Sequence, residues 1–104
     1  MVRVIIRWAI NPFRGDTFAA GWRPAAEAVL DYGATSWAFY RAMDGRLDFV
    51  QEATFPSKAD FEHYWYSETI AAYRSELSGV YQVPLLPAFW EILGEGELVE
   101  LQSE

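Results

Sequence analysis

The sequence predicts an α+β protein of element order β-α-β-β-α-β, with one four-stranded antiparallel sheet and both helices on a single face. Three observations carry that prediction. Apolar residues alternate with period two in Val2–Ile10 and in the pair of segments flanking Asp44-Gly45. An alanine-rich stretch ending at Gly33 separates the first strand from that pair. The long aromatic stretch Ser57–Gly79 separates the pair from a final apolar segment, Ala88–Leu93. This order is the split-βαβ, or ferredoxin-like, arrangement.

In Val2–Ile10, residues Val2, Val4, Ile6, Trp8 and Ile10 share one face, and Arg3, Ile5, Arg7 and Ala9 share the other. Asn11-Pro12 ends the strand, because proline cannot donate to a ladder. Thr17 is the expected cap of the first helix, whose firm part is Pro24–Tyr32, with Trp22, Ala25, Ala26, Val29 and Leu30 on its apolar stripe. Thr35–Met43 reads as the second strand, with Trp37, Phe39 and Arg41 on one face. Asp44-Gly45 predicts a two-residue type I′ turn. Arg46–Phe55 returns as the third strand, with Leu47, Phe49, Gln51, Ala53 and Phe55 together.

Ser57 begins the next helix in a near capping box with Asp60. The apolar phase then shifts, so one straight helix would be apolar over too wide an arc. A break at Ser67, itself a good cap, predicts two pieces, 58–66 and 68–78, closed by Gly79. Val83–Pro87 is a proline-bounded extended connector. In the last strand Trp90 and Ile92 are assigned to the helix side, with Phe89 and Glu91 opposite. Residues 1–94 form the expected domain, followed by an acidic tail, 95–104, in which Leu98, Val99 and Leu101 suggest a short extra strand.

The 104 residues suit one domain, and 17 % aromatic content fills a core with large rings. A formal charge of −7 disfavours nucleic acid and anionic membrane surfaces as partners. With no cysteine and one histidine, thiol chemistry, disulfides and a conventional zinc site are not expected. No signal peptide or 18-residue apolar run is evident, so a cytoplasmic location is the expectation.

The element order, the broken helix in Phe61–Arg74 and the ending YQVPLLPAFWEIL resemble the dimeric α/β-barrel superfamily. Within it the chain is most similar to antibiotic-biosynthesis-monooxygenase-like proteins. The resemblance implies a homodimer whose sheets pair into a shared barrel, with a small pocket in each subunit. It further implies that some members oxygenate aromatic compounds without metal or flavin, and that others bind and degrade haem. The bare sheet face, carrying Arg3, Ile5, Arg7, Tyr40, Val50, Glu52, Phe89 and Glu91, independently suggests a symmetric homodimer.

Ten residues are candidates for a site binding a small aromatic or apolar ligand. Trp8, Trp37, Trp65 and Trp90 are expected to converge on the helix side, as a packed core or a pocket lining. Gln51 and Arg41 are polar exceptions on that face, and Asn11 lies at its edge. His63 reads either as a general base or haem ligand, or as an exposed helix histidine. Tyr66 and Tyr73, seven residues apart, either present hydroxyls to one cavity or are ordinary packing residues. No metal or cofactor is expected in the leading reading; a haem site would instead show a Soret band lost in His63→Ala. The readings separate on whether the space between Trp8, Trp37, Gln51 and Trp65 is open or solid.

Overall fold

A computed structural model describes residues 1–98. The elements are β1 (Val2–Ala9), α1 (Gly15–Glu27), β2 (Ser36–Arg41), β3 (Asp48–Phe55), α2 (Lys58–Trp65), α3 (Glu68–Glu76) and β4 (Ala88–Glu91), with a 3₁₀ segment at Ala28–Tyr32 after α1. The strands form one sheet in the order β2-β3-β1-β4, and every neighbouring pair is antiparallel. This is the ferredoxin-like α+β arrangement the pattern predicts, with the sheet open at β2 and β4. The expected extra strand involves Val99 and Leu101, which lie outside the described residues; Leu98 is exposed and in no regular element.

The break at Ser67 is where the phase shift places it. Ser57 caps α2 by accepting from the Asp60 N–H, and Ser67 caps α3 by accepting from the Ile70 N–H, each at 3.3 Å. The first helix differs from expectation at its start. It begins at Gly15, before Thr17, and its first turn has no side-chain cap. Pro24 sits inside it, where its missing N–H costs the bond to Ala20. Both residues are exposed, so water can serve the freed carbonyl. The last turn tightens to 3₁₀ and ends at Gly33, whose φ of 94° is left-handed.

The β2–β3 hairpin corrects the predicted turn. A two-residue turn at Asp44-Gly45 would set Met43 opposite Arg46, and hence Phe39 opposite Val50. The observed register sets Phe39 opposite Gln51 and Trp37 opposite Ala53. Residues directly opposite share a sheet face, so a one-residue slip would turn Phe39 and Trp37 away from the face of Phe49 and Gln51. Core burial dictates the register, and residues 42–47 make a longer connection. The Ala42 N–H reaches the Asp48 carbonyl at 3.0 Å, and Arg46 pairs with Asp44 at 2.9 Å.

The last strand is also corrected. Val4, a core residue, stands opposite Phe89, and Arg3, on the outer face, stands opposite Trp90. Phe89 and Glu91 therefore belong to the helix side, and Trp90 to the bare face, the reverse of the assignment from sequence. Phe89 meets Phe61 of α2 edge-on at 5.5 Å. Adjacent aromatics at positions 89 and 90 give no alternation to read; pairing with β1 decides the parity.

The core lies between sheet and helices and centres on Trp8, Trp22, Phe18, Phe55 and Tyr64, all fully buried. Through it runs one polar chain. Trp22 Nε1–H donates to Gln51 Oε1 at 2.9 Å, Gln51 Nε2–H donates to the Tyr64 hydroxyl at 3.2 Å, and Tyr64 O–H donates to the Ala25 carbonyl at 2.7 Å. Burial holds the Tyr64 phenol well above its ordinary value of 10.0, with the Gln51 hydrogen bond acting in the opposite sense.

The sign of the resulting pH dependence follows. In the unfolded chain Tyr64 ionises near 10.0, while in the fold it keeps its proton to higher pH. Stability from this group is intact below pH 10 and falls above it, by about 1.4 kcal/mol per pH unit. Denaturant melts between pH 9 and 11 should show this loss. Tyr64→Phe should flatten it, at a cost of about 1–3 kcal/mol at neutral pH from the partners left unpaired.

Candidate ligand groove

The helix-side space between Trp8, Trp37, Gln51 and Trp65 is solid where a pocket was the alternative. The Trp8 ring is enclosed by Trp22 at 4.7 Å, Phe18 at 4.9 Å and Tyr81 at 5.0 Å between centroids. Its indole N–H is buried without a hydrogen-bond partner. Gln51 is fully engaged by Trp22 and Tyr64. Trp65 stacks on Phe61 at 5.6 Å, and the Arg74 guanidinium lies 4.3 Å over its ring while donating to its carbonyl. Burial lowers the Arg74 pKa from its ordinary value, opposed by the neighbouring tyrosines Tyr81, Tyr64 and Tyr66.

The other candidates are dispersed. His63 is exposed on the outer side of α2, with its ring edge-on to Tyr32 at 5.5 Å. Tyr66, 75 % exposed, borders a shallow groove with Lys58, Trp65, Leu85 and Phe89. Tyr73 is half-buried against Trp22 at 6.4 Å and borders a different hollow with Thr69, Ala72 and Glu76. Of the two readings, ordinary packing residues or hydroxyls in one cavity, the shared cavity is therefore not met. Asn11 is spent on structure: its side-chain amide donates to the Gly79 carbonyl and its backbone N–H to that of Val80. A haem ligated by His63 would need an enclosed space at this exposed position of α2, where its ring instead meets Tyr32. Trp90, 57 % exposed, lies across the sheet from the other tryptophans.

Trp65 and Tyr66 share that shallow groove, and Trp37 and Arg41 share a second one. This second groove, of about 370 Å³, lies between α1 and the open β2 edge and is lined also by Ala19, Arg23, Phe39 and Phe49. Trp37, Phe39 and Arg41 alternate along β2 and Phe49 faces them from β3, so the strand pleat builds one wall. Ala19 and Arg23, four residues apart on α1, build the other. The Arg23 guanidinium lies 5.8 Å from the Trp37 ring and that of Arg41 5.3 Å from the Phe49 ring. Sequence reading singled out neither Arg23 nor the edge position of β2. The i, i+4 pair Ala19–Arg23 was visible, but the strand it faces depends on sheet order. Among the described residues no cluster of three or more metal-binding side chains occurs, and no helix is long and apolar enough to cross a membrane.

No protein-family model and no curated protein matches the chain by sequence. Solved structures match its fold. A Nitrosomonas europaea protein assigned to the antibiotic biosynthesis monooxygenases superposes with a TM-score of 0.80 over 90 % of this chain and 100 % of its own, at 14 % identity. Rv0793 from Mycobacterium tuberculosis gives 0.76 at 20 % identity, covering 92 % of this chain and 98 % of its own. SnoaB, a cofactor-independent oxygenase from Streptomyces nogalater, gives 0.75 at 12 % identity, covering 90 % and 94 %. The chain thus has the ferredoxin-like fold of antibiotic-biosynthesis-monooxygenase-like proteins, as the sequence resemblance anticipates.

The placements of His63 and Trp8 make opposite predictions. His63→Ala should leave stability within about 0.5 kcal/mol, as for an exposed side chain away from any network. Trp8→Ala should cost about 3–5 kcal/mol, because the emptied space is ringed by other large side chains. Equilibrium urea titrations of the two variants measure both.

Proposed function

We propose that this chain is a homodimeric small-molecule-binding protein whose ligand is a flat aromatic compound seated in the α1–β2 groove, and that it oxygenates that compound without a cofactor. The groove carries the reading: its volume suits one small molecule, and the partly exposed Trp37 and Phe39 offer ring surface on which a planar ligand stacks. The likeness in fold to a cofactor-independent oxygenase supports the choice of reaction.

In such a reaction the substrate supplies the electrons. Oxidation of a ring methylene to a carbonyl takes up one O₂, places one oxygen atom in the product and releases the other with both hydrogens as water. The protein's part is to hold the ligand in one orientation and keep bulk water from its reactive carbon. His63, Tyr66 and Tyr73 do not border the groove. The substrate must therefore be one that ionises readily by itself. That same observation favours a second reading, in which the groove binds an aromatic ligand without turnover. Oxygen consumption with an easily ionised hydroxyaromatic separates the two.

The homodimer rests on the bare sheet face. Its rows run Trp90–Arg3–Thr54–Ser36, then Ala88–Ile5–Glu52–Ala38, then Arg7–Val50–Tyr40. Arg3 is occupied by Thr54 and Glu95. Among the described residues Arg7 and Glu52 have no ion-pair partner. Two copies face to face would bury Ile5, Val50, Tyr40 and Trp90 while pairing each Arg7 with the other copy's Glu52.

Two measurements test these proposals. Light scattering at micromolar concentration should give twice the chain mass, and Val50→Glu should return the monomer; a monomeric parent protein would sink the dimer. Titration with 2-naphthamide, a neutral planar probe, should perturb the backbone NMR signals of Trp37 and Phe39. Trp37→Ala should weaken that binding at least about fivefold, the scale of one aromatic contact.

A further inference from the structure

We infer that the α1–β2 groove selects an anionic aromatic ligand, an aryl carboxylate or a phenolate, through the Arg23 and Arg41 guanidinium groups, with Gly15 and Asp16 positioning Arg41. This rests on the reading that the groove is the ligand site and adds the charge it prefers.

The chain carries a net charge of −7 and only eight basic residues, so most of its surface repels anions. Two of those eight border this one groove. Each guanidinium lies over a ring of the groove wall, Arg23 on Trp37 and Arg41 on Phe49. Ring contact orients a guanidinium without consuming its N–H groups. Their carboxylate partners take little: Arg41 Nη1 donates to Asp16 at 2.7 Å and Arg23 Nη1 to Glu27 at 3.5 Å, both in exposed pairs. A guanidinium has five N–H donors, so each retains several for a ligand oxygen. A carboxylate can then take paired hydrogen bonds from a guanidinium while its ring packs on the partly exposed Trp37 and Phe39.

The Arg41 guanidinium packs against Gly15 at the start of α1. A Cβ at Gly15 would collide with Arg41 Nη2 and crowd its Cζ. The backbone there does not lie in the left-handed region, so conformation does not call for glycine. The absence of a side chain lets Arg41 lie across the start of α1, where Asp16 holds it from the solvent side.

The test uses 2-naphthoate against 2-naphthamide, which share a ring system and shape and differ in charge. Calorimetry should give the carboxylate at least about tenfold tighter binding, the value of charge-assisted over neutral hydrogen bonds. The gap should narrow as salt rises, since both guanidinium groups face water. Arg41→Gln and Arg23→Gln should each shrink the gap, weakening the carboxylate more than the amide. Gly15→Ala, which displaces the end of the Arg41 side chain, should shrink it in the same way, with unchanged circular dichroism. Equal affinities for the two probes, with NMR shifts still at Trp37 and Phe39, would overturn the charge preference and leave the groove reading standing. Shifts absent from the groove with both probes would overturn both. Full restoration of the gap in Arg41→Lys would overturn the paired hydrogen bonding and reduce Arg41 to a point charge.

Discussion

The fold depends on how one amide at the centre of the sheet is satisfied. Gln51 lies in β3, between β2 and β1, and is buried where an unpaired amide would cost about 1–3 kcal/mol for each lost partner. Its oxygen is met by Trp22 from α1 and its nitrogen by Tyr64 from α2, and Tyr64 passes its own proton to the Ala25 carbonyl. One strand is thus fixed to both helical layers by directional contacts, which apolar packing alone does not provide. The tryptophan rings pack around this chain, and the interior volume is spent on them.

With the interior filled, the proposed ligand site lies at the margin. The open β2 edge and the outer side of α1 meet at an angle that side chains do not close, and the groove forms there. Its aromatic wall continues the core: Phe49 is buried and touches Phe18, while Phe39 and Trp37 carry the same surface outward. The charged rim comes from arginines laid on those rings. The proposed site is thus a border of the hydrophobic core, made by the residues that stand there.

Register explains where sequence reasoning succeeded and where it failed. The faces of β1, β2 and β3 were readable because each strand alternates cleanly, and the helix break was readable because a cap residue coincides with a phase change. The Asp44-Gly45 turn was a strong local signal that conflicted with those faces. The conflict was resolvable in principle, since a two-residue turn there gives the wrong parity. Burial of Trp37, Phe39 and Phe49 outweighs the preference of one turn. At β4 the sequence held no equivalent information, because Phe89 and Trp90 are equally apolar and only the neighbouring strand breaks the tie.

From the sequence alone followed the order of elements, the strand faces where polar and apolar residues alternate, the capped helix break and the mixed character of the outer sheet face. These are set by interactions between residues near one another in the chain. Tertiary structure decided which aromatics meet. It placed Trp90 across the sheet, His63 outside, Gln51 within a satisfied chain, and Arg23 beside Trp37. Those outcomes depend on strand order and on contacts between distant segments, which composition and periodicity do not encode.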